Sequence, residues 1–237
     1  YEFVNFFQNP NDTLSLMSNY IRTLFCDSNG IMWVGTSKGL QYIYPNDTKL
    51  HTVNMPDYNT VFITKILELN NGDICFSTSG RGVYKISPAN LSQPEKMSKV
   101  TEQMEIEVCR TILEDRNGTI WVGTTEGLFL INDPNKVFDS NFKVYRIKIP
   151  RNDGTGLADY LLGTEEIKAI AVDGANRKWI GTASSGIYLV SEDGLETIHH
   201  FTAENSPLLS NAIQSIAINN KTGEVFIGTG NGLISYQ

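Results

Sequence analysis

Three histidines, three cysteines and a few clustered carboxylates are the groups in this chain with the makings of acid–base, nucleophilic or metal chemistry. His199 and His200 are neighbours. In an extended segment adjacent side chains point to opposite faces, so the two do not chelate one metal without a bulge. His51 stands alone. Cys26, Cys75 and Cys109 show no CxxC spacing and leave an odd thiol. Each lies in an apolar run and reads as a small buried hydrophobe. The dense carboxylates are Glu165 with Glu166, and Glu102, Glu105 and Glu107. Paired acids serve glycoside hydrolysis, but these fall at the edges of connections, where solvated charge is the ordinary outcome. Asp115-Arg116-Asn117-Gly118 opens like a calcium loop yet lacks the further acidic positions and closing Glu that such a loop needs; it reads as a hairpin turn. Neither a Gly-x-Ser-x-Gly elbow nor a phosphate loop occurs. The expectation is a non-enzyme with no catalytic residue, metal or cofactor.

The elements that hold these groups are written in a repeat. "WVGTSKGL" at 33–40 returns as "WVGTTEGL" at 121–128, with looser copies "CFSTSGRGV" (75–83), "WIGTASSGI" (179–187) and "FIGTGNGL" (226–233). Taking Trp33, Phe76, Trp121, Trp179 and Phe226 as anchors, the copies recur 43, 45, 58 and 47 residues apart. A period in the forties marks an array of one supersecondary unit. Ahead of each anchor stands an alternating apolar run ending in Asn-Gly or a relative: "IRTLFCDSNG" (21–30), "ITKILELNNG" (63–72), "CRTILEDRNG" (109–118), "IKAIAVDGANR" (167–177) and "IQSIAINNKTG" (213–223). Period-two alternation is the mark of a half-buried strand, and Asn and Gly accept the positive φ of a tight hairpin. After each Gly-Thr a further glycine (Gly39, Gly82, Gly127, Gly186, Gly232) leads into a third strand such as "LFLI" or "IYLV". A fourth follows at 49–53, near 96–105, at 142–147 and at 196–201. Four antiparallel strands per repeat describe a β-propeller blade.

The reading is therefore an all-β, five-bladed β-propeller occupying 1–237 as one domain, with blades at about 20–54, 61–105, 108–147, 166–201 and 211–236 plus 1–7. The last repeat stops at its third strand, and "YEFVNFF" (1–7) is the spare strand expected to pair beside 232–236 and close the ring. Closure would hide two sheet edges. The competing reading is part of a larger ring, whose ends do not meet.

Composition narrows the function classes. Of 237 residues 41% are hydrophobic and 19% charged, with a net charge of −7. A diffuse negative field excludes nucleic acid and anionic membrane as natural partners. The sequence has no run of 18 apolar residues, so no membrane insertion is expected. No basic-then-apolar leader opens the sequence; an exported protein would carry its signal outside these residues.

"SLMSNYIRTLFCDSNGIMWVGTSKGL" and "CRTILEDRNGTIWVGTTEGLFLI" resemble the two-component regulator propeller repeat. That resemblance implies an extracytoplasmic sensor domain of a Bacteroidetes hybrid two-component system, located in the periplasm or at the cell surface and recognising glycan fragments. The match is weaker at 63–86, where Cys75-Phe76-Ser77 replaces a Trp-Val-Gly type triplet. "RNDGTGLADYLLGTEEIKAIAVDGANRKWIGT" and "HHFTAENSPLLSNAIQSIAINNKTGEVFIGT" resemble PorZ-type propellers of type IX secretion. That resemblance implies binding of an anionic lipopolysaccharide or of sorting machinery. A ligand-free scaffold, recombinant or designed, is the third reading.

Topology then selects a candidate binding face. The turns from second to third strand are the letters that vary within the repeated phrase, and they present Lys38, Arg81, Glu126, Ser184 and Asn231. Blade-to-blade connections open on the same face, the longest being 148–165. It offers Arg151, Asp153 and Tyr160, the last able to stack on a sugar ring by its apolar face. The expected partner is an oligosaccharide or anionic glycan; the oligomeric state is left open.

Overall fold

The computed structural model describes residues 3–55, 60–101, 108–136, 142–151 and 153–237. Glu102, Glu105 and Glu107, and parts of the connections at 54–60 and 96–105, lie outside them. The protein is an all-β, five-bladed β-propeller, and the described residues contain three short 3-10 turns and no α-helix. The chain divides into two compact units, Tyr1–Cys109 and Arg110–Gln237.

The first unit carries two four-stranded antiparallel blades. Blade 1 is β1 (Ile21–Cys26), β2 (Met32–Thr36), β3 (Leu40–Ile43) and β4 (His51–Thr52). Blade 2 is β5 (Ile63–Glu68), β6 (Ile74–Thr78), β7 (Val83–Ile86) and β8 (Ser98–Lys99). The second unit holds β9 (Cys109–Glu114, whose first residue belongs to the first unit), β10 (Ile120–Thr124), β11 (Gly127–Ile131) and β12 (Val144–Tyr145) as blade 3. A separate hairpin follows, β13 (Lys148–Pro150) and β14 (Ala158–Tyr160). Blade 4 is β15 (Ile167–Val172), β16 (Lys178–Thr182), β17 (Ile187–Val190) and β18 (Thr197–Phe201). Blade 5 has three strands, β19 (Ile213–Ile218), β20 (Val225–Thr229) and β21 (Gly232–Tyr236).

The strand expected from 1–7 does not appear among the described residues: 3–8 carry no strand, and the described sheet of blade 5 ends at β21. The chain that follows is instead tied down locally. Gln8 N donates to Asn19 Oδ1 at 2.6 Å, Met17 N to Gln41 Oε1 at 2.8 Å, and Leu50 N to Leu14 O at 3.1 Å. The register corrects a second expectation. Ser77 pairs with Val83 as Gly35 pairs with Leu40, so the counterpart of Trp33 is Cys75, and Phe76 falls one position later on the other face. There it stacks on Tyr84 at 5.7 Å.

In blades 1 and 3 the first hairpin turn does more than reverse the chain. Asp27 Oδ1 accepts from Asn29 N and Ile31 N, and Oδ2 accepts from Trp33 Nε1, each at 2.9 Å. Asp115 repeats the pattern with Asn117 N, Thr119 N and Trp121 Nε1. One carboxylate therefore shapes the turn and anchors the indole of the following strand. Where the tryptophan gives way to Cys75, the aspartate gives way to Leu69. In blade 4, Arg177 Nε takes Asp173 Oδ2 at 2.7 Å, and Trp179 Nε1 is buried without an acceptor among the described residues.

Neighbouring blades lock through the glycine of Gly-Thr. A Cβ on Gly35 would stand 2.8 Å from Ile63 Cγ2, one on Gly123 2.7 Å from Ile167 Cγ2, and one on Gly181 2.5 Å from Ile213 Cγ2. The isoleucine that opens the next blade thus fills the space a side chain would need, at close-packed density. At the remaining position Ser77 replaces glycine, and the smaller Cys109 stands where the isoleucine would be. Thr64 Oγ1 bridges Ser77 Oγ at 2.8 Å and Cys109 O at 3.0 Å.

In the second unit Lys178 is fully buried. Its Nζ lies 2.9 Å from Asp115 Oδ2, donates to Glu192 O at 2.6 Å and sits 4.7 Å from the centre of the Trp121 ring. Burial pushes the Asp115 carboxyl up, but hydrogen bonds from Lys178, Trp121 and the Thr119 backbone outweigh it and hold the group below the ordinary range. Because the folded pKa is depressed, the stability from this group is present above the unfolded carboxylate pKa of about 4 and lost as pH falls through the folded value. We expect Asp115→Asn to cost about 3–5 kcal/mol at neutral pH by leaving the lysine unpaired. In chemical denaturation at stepped pH, the gap between wild type and variant should narrow once pH drops below about 4. A gap that persists unchanged into acid would contradict the assignment.

Candidate functional site

The second turn of each blade is built by its threonine. Thr36 Oγ1 donates to Gly39 O at 3.0 Å and accepts from Lys38 N at 3.0 Å. Thr78, Thr124, Thr182 and Thr229 donate likewise to Gly82, Gly127, Gly186 and Gly232 carbonyls. The threonine carries the turn in every blade, joined by a positive-φ glycine in four of them (Gly82, Gly127, Gly186 and Gly232), so the residues between are released from packing duty. Lys38 and Arg81 are exposed on the turns of the first unit, and Glu126, Ser184 and Asn231 on those of the second. Asn231 Nδ2 donates to Leu209 O at 3.0 Å.

The 148–165 segment, expected as a loop, contains the hairpin β13–β14. Its turn consumes two of the predicted residues. Arg151 grips Asp159 through Nε at 2.8 Å and Nη2 at 2.6 Å, which raises the guanidinium pKa and lowers that of the carboxyl. Asp153 accepts from the hydroxyl and backbone N–H of Thr155 and is held low by both. Arg151 and Asp153 are not brought together with each other.

Tyr160 is placed differently. Its ring is half exposed, and Arg146, unnoticed in the sequence, backs it at 4.3 Å from the ring centre. The same guanidinium lies 5.0 Å from the centre of the Phe129 ring, and Nη2 donates to Glu126 O at 2.8 Å and Gly163 O at 3.2 Å. Arg146 thus couples the Tyr160 hairpin to the Glu126 turn. Its Nε is buried without an acceptor among the described residues. A cleft of about 460 Å³ opens beside it, lined by Asp159, Tyr160, Leu162, Gly163, Thr164 and Glu165. Leu162 is held at φ 49°, a left-handed conformation unusual for a bulky residue. It is fixed by Gly163 N donating to Tyr160 O and Glu165 N to Leu162 O, both at 3.0 Å. Gly127 N, donating to Glu165 O at 2.8 Å, pins the segment to blade 3.

An aromatic pair stands near Glu165. Tyr188 stacks on His200 at 3.9 Å, and His200 Nε2 meets Ser185 O at 2.7 Å. Burial, then the charge of Glu165, raises the Tyr188 phenol. His199 instead lies 5.3 Å from the Phe201 ring, and His51 is engaged by Asp47 and stacked on Tyr42. Among the described residues no three His, Cys, Asp or Glu side chains converge as metal ligands. No helix among the described residues is long and apolar enough to cross a membrane.

Comparison with known proteins follows the same lines. Residues 15–38 and 106–126 match the family model of the two component regulator propeller. No curated protein matches the chain. Among solved structures, PorZ, a surface component of the type-IX secretion system of Porphyromonas gingivalis, superposes with a TM-score of 0.83 at 24% identity over 98% of this chain and 34% of that one. The extracellular domain of a hybrid two component system from B. thetaiotaomicron gives 0.70 at 24% identity over 95% of this chain and 28% of its own. A virginiamycin B lyase from Staphylococcus aureus gives 0.64 at 14% identity, covering 97% and 72%. The likeness at these identities is one of fold. The chain spans about a third of the length of the first two structures.

Arg146→Ala should loosen the 148–165 hairpin without unfolding the blades. Hydrogen exchange at the amides of Leu161, Gly163 and Glu165 should rise by about tenfold, the equivalent of roughly 1.4 kcal/mol of local opening, while β10 and β16 keep their protection. Uniform acceleration across the second unit would show that Arg146 serves the core instead.

Proposed function

We propose that the chain is a non-enzymatic recognition propeller, the extracytoplasmic sensing portion of a hybrid two-component regulator, and that it binds a glycan at the Tyr160 cleft. The observation that carries this reading is the half-exposed Tyr160 ring, backed by the Arg146 guanidinium and rimmed by Thr164 and Glu165. An aromatic face takes the apolar face of a sugar while polar groups at the rim take its hydroxyls. The regulator-propeller match at 15–38 and 106–126 supports the sensor role, and the extracellular origin of a fold neighbour supports a periplasmic or cell-surface location.

The second reading is a PorZ-like surface component binding an anionic lipopolysaccharide. It is favoured by the exposed cations Lys38 and Arg81 on successive turns of the first unit and by the fold likeness to PorZ. The ligand-free scaffold is what remains if neither binds.

Isothermal titration against pools of neutral and uronic-acid oligosaccharides separates them. Tyr160→Ala should weaken neutral-glycan binding at least about tenfold, roughly 1.4 kcal/mol, and leave the melting temperature nearly unchanged. Lys38→Ala with Arg81→Ala should weaken only the anionic pool. Wild-type protein that binds no pool removes both glycan readings.

A further inference from the structure

Within the second unit, blades 3 and 4 build the same side-chain stack and finish it differently. Phe129 and Tyr188 each follow the residue paired with the glycine of Gly-Thr, which is Leu128 with Gly123 and Ile187 with Gly181. On the outer strand Tyr188 pairs with His200, and Phe129 lies opposite Arg146, one step beyond the Leu130–Tyr145 pair. In both blades the outer side chain covers the ring and donates to the carbonyl just before the turn glycine. Arg146 lies 5.0 Å from the Phe129 ring centre, and its Nη2 donates to Glu126 O at 2.8 Å. His200 lies 3.9 Å from the Tyr188 ring at an interplanar angle of 9°, and its Nε2 donates to Ser185 O at 2.7 Å. Blade 3 adds a third layer, the Tyr160 ring, 4.3 Å from the guanidinium. Blade 4 stops at two: His200 is exposed, and among the described residues no second ring or cation covers it. The fold does not require such a stack, since blade 1 places Gln41 and Thr52 at these positions.

The geometry points to a second sugar platform at His200, adjoining the Tyr160 cleft, so that the ligand is a neutral oligosaccharide with one ring at Tyr160 and another as the missing third layer on His200. This deepens the glycan reading of the cleft and rests on it. Ser185 O only accepts, so His200 Nε2 carries the proton, and Nδ1 of the neutral ring is left as an acceptor for a sugar hydroxyl. An imidazole fixed by a stack on one side and a hydrogen bond at its edge presents its other face at little cost in ordering. The apolar face of a sugar ring suits that surface as it suits an aromatic ring. The two platforms are joined by continuous backbone. The cleft wall runs from Asp159 to Glu165, and the carbonyl of the next residue, Glu166, accepts from Ala183 N at 2.9 Å, at the start of the turn that holds Ser185. Glu165 stands between them in the cleft wall, its carboxylate without an ion-pair partner among the described residues. An unpaired carboxylate takes hydroxyl donors and repels an acidic sugar, which sets the neutral class.

Titration calorimetry with neutral oligosaccharides graded by length, from a single sugar upward, tests this beside proton–carbon spectra of the imidazoles. With three histidines in the chain, His51→Gln and His199→Gln identify the His200 signals. Wild-type affinity should rise at least about tenfold from the single sugar to the length that spans both platforms, and the His200 signals should move with the longer ligands alone. His200→Ala should lose that rise and keep the single-sugar affinity, while His200→Phe, which restores a flat ring, should recover most of it. Tyr160→Ala should weaken every length. An affinity that does not grow with length, His200 signals that stay still, or a folded His200→Ala that matches wild type at every length would overturn the platform and leave the Tyr160 reading standing. A loss in His200→Ala with none in Tyr160→Ala would overturn the Tyr160 reading and keep the platform. A wild type that binds no length overturns both.

Discussion

In two of the five blades the second strand is placed by a buried aspartate at the head of a hairpin. In blades 1 and 3 its two oxygens divide the labour: one closes the turn through two backbone N–H groups, the other fixes the indole six residues on. Fixing the indole sets the rotation of the second strand. That rotation aims the glycine two residues later at the next blade and the following threonine at its own turn. A carboxylate with fewer partners would not survive burial at this depth. At Asp115 the arrangement is extended by Lys178, so a charge pair lies inside the second unit. A buried pair of this kind is poor evidence of net stability. It joins β10 to β16, since Lys178 Nζ meets Asp115, the Glu192 carbonyl and the Trp121 ring together.

Much of this frame was legible from residue order. The Asn-Gly punctuation, the period-two runs and the recurring Gly-Thr located the blade strands, because each is a local device with a local cause. What escaped depends on partners far along the chain. The Asp-Asn-Gly segments read correctly as turns, but the bond from aspartate to indole was missed. The available signal was covariation inside the chain, Leu69 with Cys75 against Asp27 with Trp33. Phe76 draws the eye as the aromatic of its run, but counting back from the threonine assigns that register to Cys75. The β13–β14 strands have three residues each and one contains Pro150, too little for periodicity to register. Arg146 and Tyr160 meet across a hairpin that was itself unseen. The strand expected from 1–7 rested on a strand count, and a count does not reveal that the following backbone is tied into its own blade.

The candidate cleft follows from the same division of labour. In each blade the threonine and glycine hold the turn, so the side chains between them vary without cost to the fold. The second unit departs from the pattern by inserting a hairpin and clamping it with one arginine shared between two aromatic rings and two carbonyls. A platform held this way is preorganised, and a ligand meeting it loses little binding energy to ordering the protein. The unusual backbone at Leu162 lies in the wall of that cleft, as strain tends to gather where a surface must present itself in one shape.

The junction chemistry also bears on how such arrays change length. Gly35 with Ile63, Gly123 with Ile167 and Gly181 with Ile213 are the same joint made three times, so within the second unit excising the intervening blade would bring Gly123 against Ile213 and recreate a fitting pair. Ser77 with Cys109 is keyed to itself, since serine facing isoleucine would be crowded and glycine facing cysteine would leave a void. A swap among sister repeats therefore fits at the glycine–isoleucine seams and strains the serine–cysteine one.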